Sequence, residues 1–310
     1  MRYKTDLVIE DVEMCRAEIA SLGENHPKAH DFNDGVKIDE CNYGEGISST
    51  TIDIINDKGE RLLGKPQGKY ITLEIKGLDQ CEIVTEGGGS SLKHRAVEAL
   101  ATELRKMLSF HYYLKVLVVG LGNDKVTPDA LGPYTASKVR ITRHLFIMFE
   151  ADGDEQQACV SGFIPGVMAS TGMETADLIE KAVALTGPEV VIVIDSLAAR
   201  NIERISTTIQ INDTGISPGA GMGNNRKLLN KETLGKRVIA IGVPTVIDSS
   251  TLILDALEGY IADPEKVAEY ISQKGQDMIV TSTDIDQVIK DFSDIIAAAI
   301  NKVLHPGIYF

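Results

Sequence analysis

Four short apolar runs constrain this chain most: "KVLVVG" from Lys115, "ACVSGFIPG" from Ala158, "EVVIVID" from Glu189 and "RVIAIGVP" from Arg237. Each is rich in Val or Ile and lacks polar alternation. Strands of that kind are buried on both faces, and helices packed on a parallel sheet provide that cover. Helical segments lie between them. In "STGMETADLIEKAVALTG", Thr171 and Glu174 have the spacing of a capping box, and Gly187–Pro188 supplies the stop. A last helix is expected after Thr283, with Ile285, Val288, Phe292, Ile296 and Val303 on one stripe. The expected fold is α/β: a mostly parallel twisted sheet flanked by helices, with its core over residues 114–250.

Ahead of the core, "EDVEMCRAEIASL" has helical spacing, and a polar stretch follows to about residue 45. "ISSTTIDII" and "KYITLEI" flank the turn residues "NDKG" and suggest antiparallel strands of a small N-terminal β appendage over residues 45–85. A glycine segment then feeds a helix capped by Ser90 or Ser91. Repeats and linkers are not evident, so residues 7–310 are expected to form one domain. The formal net charge of −14 argues against a nucleic-acid partner, because phosphate neutralisation needs a basic surface. Cys15, Cys41, Cys81 and Cys159 are widely spaced, which predicts reduced thiols and no zinc site. The absence of HExxH, of a signal-like start and of a membrane-length apolar run completes the expectation of a cytoplasmic protein without a cofactor, with metal dependence left open.

In open parallel sheets, sites gather at the carboxyl ends of the strands. The first such end is "GLGNDKVTPDALGP". Gly120 and Gly122 do not extend to a dinucleotide fingerprint, because the third glycine and the acid closing the next strand are missing. The loop has a different logic: Thr127 fits an N-cap, Pro128 a first helical position, and Asp129 the first turn, where free N–H groups favour a carboxylate. Asp195 closes "EVVIVID", and a carboxylate ending an apolar strand must be paired, hydrogen-bonded or protonated. Two such acids at neighbouring strand ends fit a proton-sharing pair that activates water, or a metal-binding pair; the residues alone leave both open. Asp213-Thr214-Gly215 is the tripeptide of pepsin-like proteases, but one copy in an α/β context does not make that site. The glycines after it, with Arg226 and Lys227, fit an anion or substrate-backbone cradle, or a plain mobile loop. His144 fits a packed helix residue better than a catalyst.

Taken together, "VVGLGN…VTPDALGP", "ITRHLF", "IPGVM…TGMET", "IDSLAAR", "TTIQINDTGISPG…GNNRK" and "VIAIGVPTVID" resemble the germination proteases of spore-forming bacteria. The resemblance implies a fold similar to hydrogenase maturation proteases. It also implies an atypical aspartic endopeptidase that degrades small acid-soluble spore proteins in the spore core and assembles as a homotetramer. The family's two essential aspartates fall on Asp129 and Asp195. Gly120, Gly122 and Asn123 of "GLGN", and Asp213 and Gly215 of "DTGISPG", are expected to shape the cleft. Members are made as zymogens, and "KTDLVIED" places the candidate autoprocessing bond between Asp6 and Leu7, making residues 1–6 a short propeptide. Ser217 stands where the family commonly has His, and the insertion common near residues 259–280 is almost absent. The alternatives are a metal-assisted maturation-type protease on the same fold and a non-enzymatic nucleotide-binding module.

Overall fold

The computed structural model describes residues 4–23, 26–78, 91–219, 226–257, 266–267, 269–271 and 278–309. The four apolar runs form β4 (Lys115–Gly120), β5 (Cys159–Phe163), β6 (Val190–Ala199) and β8 (Arg237–Asp248). They lie in the order β8-β6-β4-β5 and pair in parallel throughout. Beyond β8 the sheet continues antiparallel through β7 (Thr208–Asn212), β3 (Gly68–Ile75), β2 (Ile47–Ile54) and β1 (Val36–Asn42), while β9 (Ile279–Thr281) also pairs with β8. The N-terminal strands thus extend the main sheet as its antiparallel wing. Hydrogen bonding of β3 to β7 makes the extension continuous.

Helices cover both faces. Among them are α1 (Val8–Leu22), α2 (Pro27–Gly35), α3 (Asp57–Leu63), α4 (Leu92–Met107), α5 (Leu131–Lys138) and α6 (Arg143–Met148). Then follow α7 (Met168–Thr171), α8 (Thr175–Thr186), α9 (Lys231–Leu234), α10 (Ser249–Ala256) and α11 (Ile285–Leu304). Alternating residues on β4 and β6 separate the two cores. Val116, Val118, Ile192 and Ile194 join α4, α5 and the buried stripe of α11, including Phe292 and Ile296. Leu117, Val119, Val191 and Val193 face Ile179 and Val183 of α8. Burial on both sides is why these strands carry continuous Val and Ile. A third cluster joins Leu7, Val8 and Val12 to Ile52, Leu63 and Leu197 under the antiparallel wing.

Four local expectations change. The polar stretch after α1 holds α2 and the exposed edge strand β1, and "NDKG" opens α3 under an Asn56 cap. Thr171 and Glu174 form no capping box: Gly172, at φ +72°, ends α7, and α8 starts separately after Glu174, whose side chain caps nothing. Ser91 caps α4 by accepting from the His94 amide, while Ser90 lies outside the described residues. Much of residues 259–280 also lies outside them. His144 is exposed on α6.

Close packing at the end of β4 depends on two glycines. A Cβ on Gly120 would sit 2.3 Å from the Gly132 carbonyl oxygen, and one on Gly132 would sit 2.2 Å from that of Leu121. Helix α5 thereby rests directly on the strand. Gly120→Ala should lower stability by about 1–3 kcal/mol through overpacking, read as a lower midpoint in urea unfolding; an unchanged midpoint would contradict this contact.

Candidate active site

Strand β4 ends at Gly120, which pairs with Ile194 of β6. Asp195 is therefore the first residue of β6 to pass beyond its neighbour. It does not close the strand as the sequence suggests, because β6 runs on to Ala199 alongside β8. Small and apolar residues after Asp195 permit that continuation. The β6–β8 register shifts between Leu197 and Ala198, which pair with Pro244 and Val246 and leave Thr245 as an extra residue. Such bulges re-aim side chains beside active sites. Here the Thr245 hydroxyl donates to the Pro128 carbonyl at 2.8 Å and ties β8 to the β4–α5 loop.

That loop places the second acid. Thr127–Asp129 form a 3-10 turn, and α5 starts only at Leu131, so Thr127 is not the N-cap the sequence suggests. The Asn123 amide bonds both the backbone oxygen of Asp129, at 3.0 Å, and its Oδ2, at 2.9 Å. Gly122 allows this closure. It sits at φ +108°, and a Cβ there would lie 2.0 Å from the Asp129 carbonyl oxygen.

Asp129 and Asp195 line one cavity of about 260 Å³, with Gly122, Asp6, Ser196 and Arg226 also in its wall. Asp195 is 4% exposed, and its Oδ1 accepts from the Ser196 amide at 2.9 Å. Burial, and secondly the Asp129 charge, push its pKa well above the ordinary 3.8. Asp6 pushes in the same direction, against the Ser196 amide and the Arg226 charge. Asp129 is half-buried. Burial raises its pKa too, opposed by the Asn123 amide and by Arg226. Both shifts favour the protonated carboxyl, more strongly at the buried Asp195 than at the better-hydrated Asp129. The Ser196 hydroxyl is buried and has no hydrogen-bond partner among the described residues.

The other expected cleft residues separate. Gly122 is in the cavity wall, and Asn123 acts on Asp129 through its backbone. Gly120 serves helix packing. Asp213 accepts from the Lys69 amide at 2.8 Å and joins β7 to β3. Gly215 lines a neighbouring cavity of about 180 Å³ with Gln210 and Tyr70. Asp6 lines both cavities. Its amide donates to the Ala198 carbonyl and its Oδ2 accepts from the Ala198 amide, each at 2.9 Å. Its carbonyl accepts from Gln210 Nε2 at 3.0 Å. Leu7, the next residue, is completely buried. Nothing local in "KTDLVIED" signals that this segment crosses the cavity, since its partners stand some two hundred positions away.

Among the described residues, no three His, Cys, Asp or Glu side chains are gathered so as to hold a metal ion. No helix among them is long and apolar enough to cross a membrane.

A family model described as germination protease matches residues 8–266. The germination protease of Caldanaerobacter subterraneus subsp. tengcongensis is 39% identical over 287 residues, covering 85% of this chain and 86% of its own length. That of Clostridium perfringens (strain ATCC 13124) is 36% identical, covering 98% and 95%. Among solved structures, the [NiFe] hydrogenase maturation protease HycI from Thermococcus kodakarensis KOD1 aligns with 60% of this chain and 92% of its own, at 15% identity and a TM-score of 0.31.

Burying Asp195 has a measurable signature. A carboxyl whose folded pKa lies above its unfolded value binds its proton more tightly in the folded state, so its contribution to stability falls as pH rises. Asp195→Asn should therefore match the parent near pH 3.8 and become progressively more stable than it toward neutral pH. Thermal unfolding of both proteins across that range checks this; a constant difference would mean that Asp195 is not held protonated.

Proposed function

The chain belongs to the germination protease family, and on that premise we propose that it is an aspartic-type endopeptidase in which Asp129 is the general base and Asp195 the general acid. The observation that carries this reading is the shared cavity, where two carboxyl groups of unequal hydration face one space. Such a pair holds one proton between them near neutral pH. Ionised Asp129 takes a proton from water as its oxygen attacks the peptide carbonyl. Protonated Asp195 gives its proton to the departing amide nitrogen. Activity then declines at low pH, when Asp129 is protonated, and at high pH, when Asp195 loses its proton.

Small acid-soluble spore proteins are the proposed substrates, and the spore core the proposed compartment. We further propose removal of residues 1–6 by cleavage between Asp6 and Leu7. Asp6 already lies in the aspartate cavity, while Leu7 is fixed in the core and would remain as the new N-terminus. The bond reaches the dyad only after the Asp6 contacts to Ala198 and Gln210 release. Self-assembly as a tetramer fits the exposed apolar run Ile147, Met148 and Phe149 at the end of α6.

The first test is mass spectrometry of a small acid-soluble spore protein incubated with the full chain and with a chain starting at Leu7. Cleavage of the substrate and loss of residues 1–6 from the full chain are expected. Asp129→Asn and Asp195→Asn should each reduce cleavage by about 10⁴-fold while keeping the circular dichroism spectrum. Full activity in either variant would rule out the dyad.

A further inference from the structure

The loop between β7 and α9 brings Pro218, Gly219 and Arg226 to the aspartate cavity, and the dyad mechanism leaves the Arg226 side chain without a role. Its two arms are joined where Ile216 and Leu229 exchange backbone hydrogen bonds of 3.0 and 2.8 Å. Gly215 makes this junction possible: at φ +92°, a Cβ there would lie 2.1 Å from the Leu229 carbonyl oxygen. Nearer the tip, the Ser217 hydroxyl donates to the Arg226 carbonyl at 3.2 Å. Lys227 turns outward and pairs with Glu180 and Asp177 on α8. Arg226, its neighbour in the chain, turns inward and lines the cavity with both aspartates. Neighbouring residues on an extended segment point to opposite sides, so the outward ion pairs of Lys227 help to hold Arg226 in the cleft.

The guanidinium makes no hydrogen bond or ion pair among the described residues, yet its charge reaches both carboxyl groups. An unused cation in a partly dehydrated cavity is suited to charge that appears only during reaction. Hydrolysis produces such a charge. When the water oxygen bonds to the peptide carbon, the π pair of the carbonyl moves onto its oxygen. With the acid's proton reserved for the leaving nitrogen, that oxygen is left negative and without a proton.

Resting on the dyad reading above, we propose that Arg226 is a further catalytic residue, whose guanidinium binds the oxyanion of the tetrahedral intermediate. The step balances as follows. Asp129 takes one water proton as the C–O bond forms, and the negative carbonyl oxygen is held by Arg226. The oxyanion then re-forms the C=O bond, the C–N bond breaks, and its electron pair takes the Asp195 proton. Transfer of the proton from Asp129, through solvent, back to Asp195 restores the starting state.

The test is steady-state cleavage of a small acid-soluble spore protein across pH by the parent, Arg226→Gln and Arg226→Lys, beside Asp129→Asn. Arg226→Gln should lose about 10²–10³-fold in kcat, with KM changed by less than about threefold, and Arg226→Lys should recover part of the loss. Because Arg226 lowers both carboxyl pKa values, its removal should also move the whole pH–rate bell upward. A loop that is merely structural would lower activity without moving the bell. Unchanged kcat in Arg226→Gln, with Asp129→Asn inactive, would overturn this proposal and leave the dyad standing. A loss confined to KM, and only for substrates with an acidic residue beside the cleaved bond, would make Arg226 a recognition residue and overturn it as well. An active Asp129→Asn would remove the dyad and this inference together.

Discussion

A carboxyl group buried inside a β-strand governs the arrangement of this molecule's carboxyl edge. Asp195 sits at the one place on β6 where the neighbouring strand β4 has ended and β8 continues. One residue earlier, at Ile194, it would be enclosed in the core beneath α4, α5 and α11. At the position it occupies, a neighbour's absence opens the cavity that Asp129 also lines. The surroundings still exclude bulk solvent, which favours the protonated carboxyl. Strand length, set here by where β4 stops, therefore decides how far this carboxyl is buried.

Two devices supply the rest of the cavity. The first is the bulge at Thr245, which shifts the end of β8 and bonds it to the Pro128 carbonyl, fixing the turn that carries Asp129. The second is a pair of glycine contacts. Gly120 and Gly132 seat α5 on the strand, and Gly122 folds the loop back until the Asn123 amide reaches Asp129. The glycines that resemble a nucleotide turn thus act through close backbone approach, with the acid itself as the group being positioned.

Much of this was legible in the chain, and the omissions have physical causes. Continuous Val and Ile runs that are short and mostly closed by Gly or Pro mark doubly buried strands, and the stripe on α11 leads to Phe292 and Ile296 in the core. The two acids stand out because each follows such a run. Strand β1 escaped notice because it is an exposed edge with polar residues on both faces. Thr171 and Glu174 had the right spacing for a box, but Gly172 takes a left-handed conformation that spacing does not reveal. Asp195 has the sequence signature of a strand terminus, but the small residues after it let the strand continue. The most consequential omission is non-local: "KTDLVIED" contains no hint that Asp6 would bond Ala198. Arg226 was visible only as part of a glycine loop, since its inward direction depends on the pairing of Lys227 with α8.

The division between strand and loop also explains why two chemically identical side chains behave differently. Asp195 belongs to a strand paired with β8 and is almost fully buried. Asp129 is held by a turn and is only half-buried; burial raises its pKa, and the Asn123 amide works against that rise. The charges that adjust the pair come from elsewhere: Asp6 on the N-terminal segment raises the pKa of Asp195, and Arg226 on a loop lowers that of both acids. Neither charge belongs to the parallel strands that position the pair. Removal of residues 1–6 would delete the Asp6 charge while Leu7 stayed anchored in the core, changing the electrostatics without repacking the sheet. A fold that places its acids on the frame and its modulating charges on peripheral segments can retune the reaction while keeping its geometry.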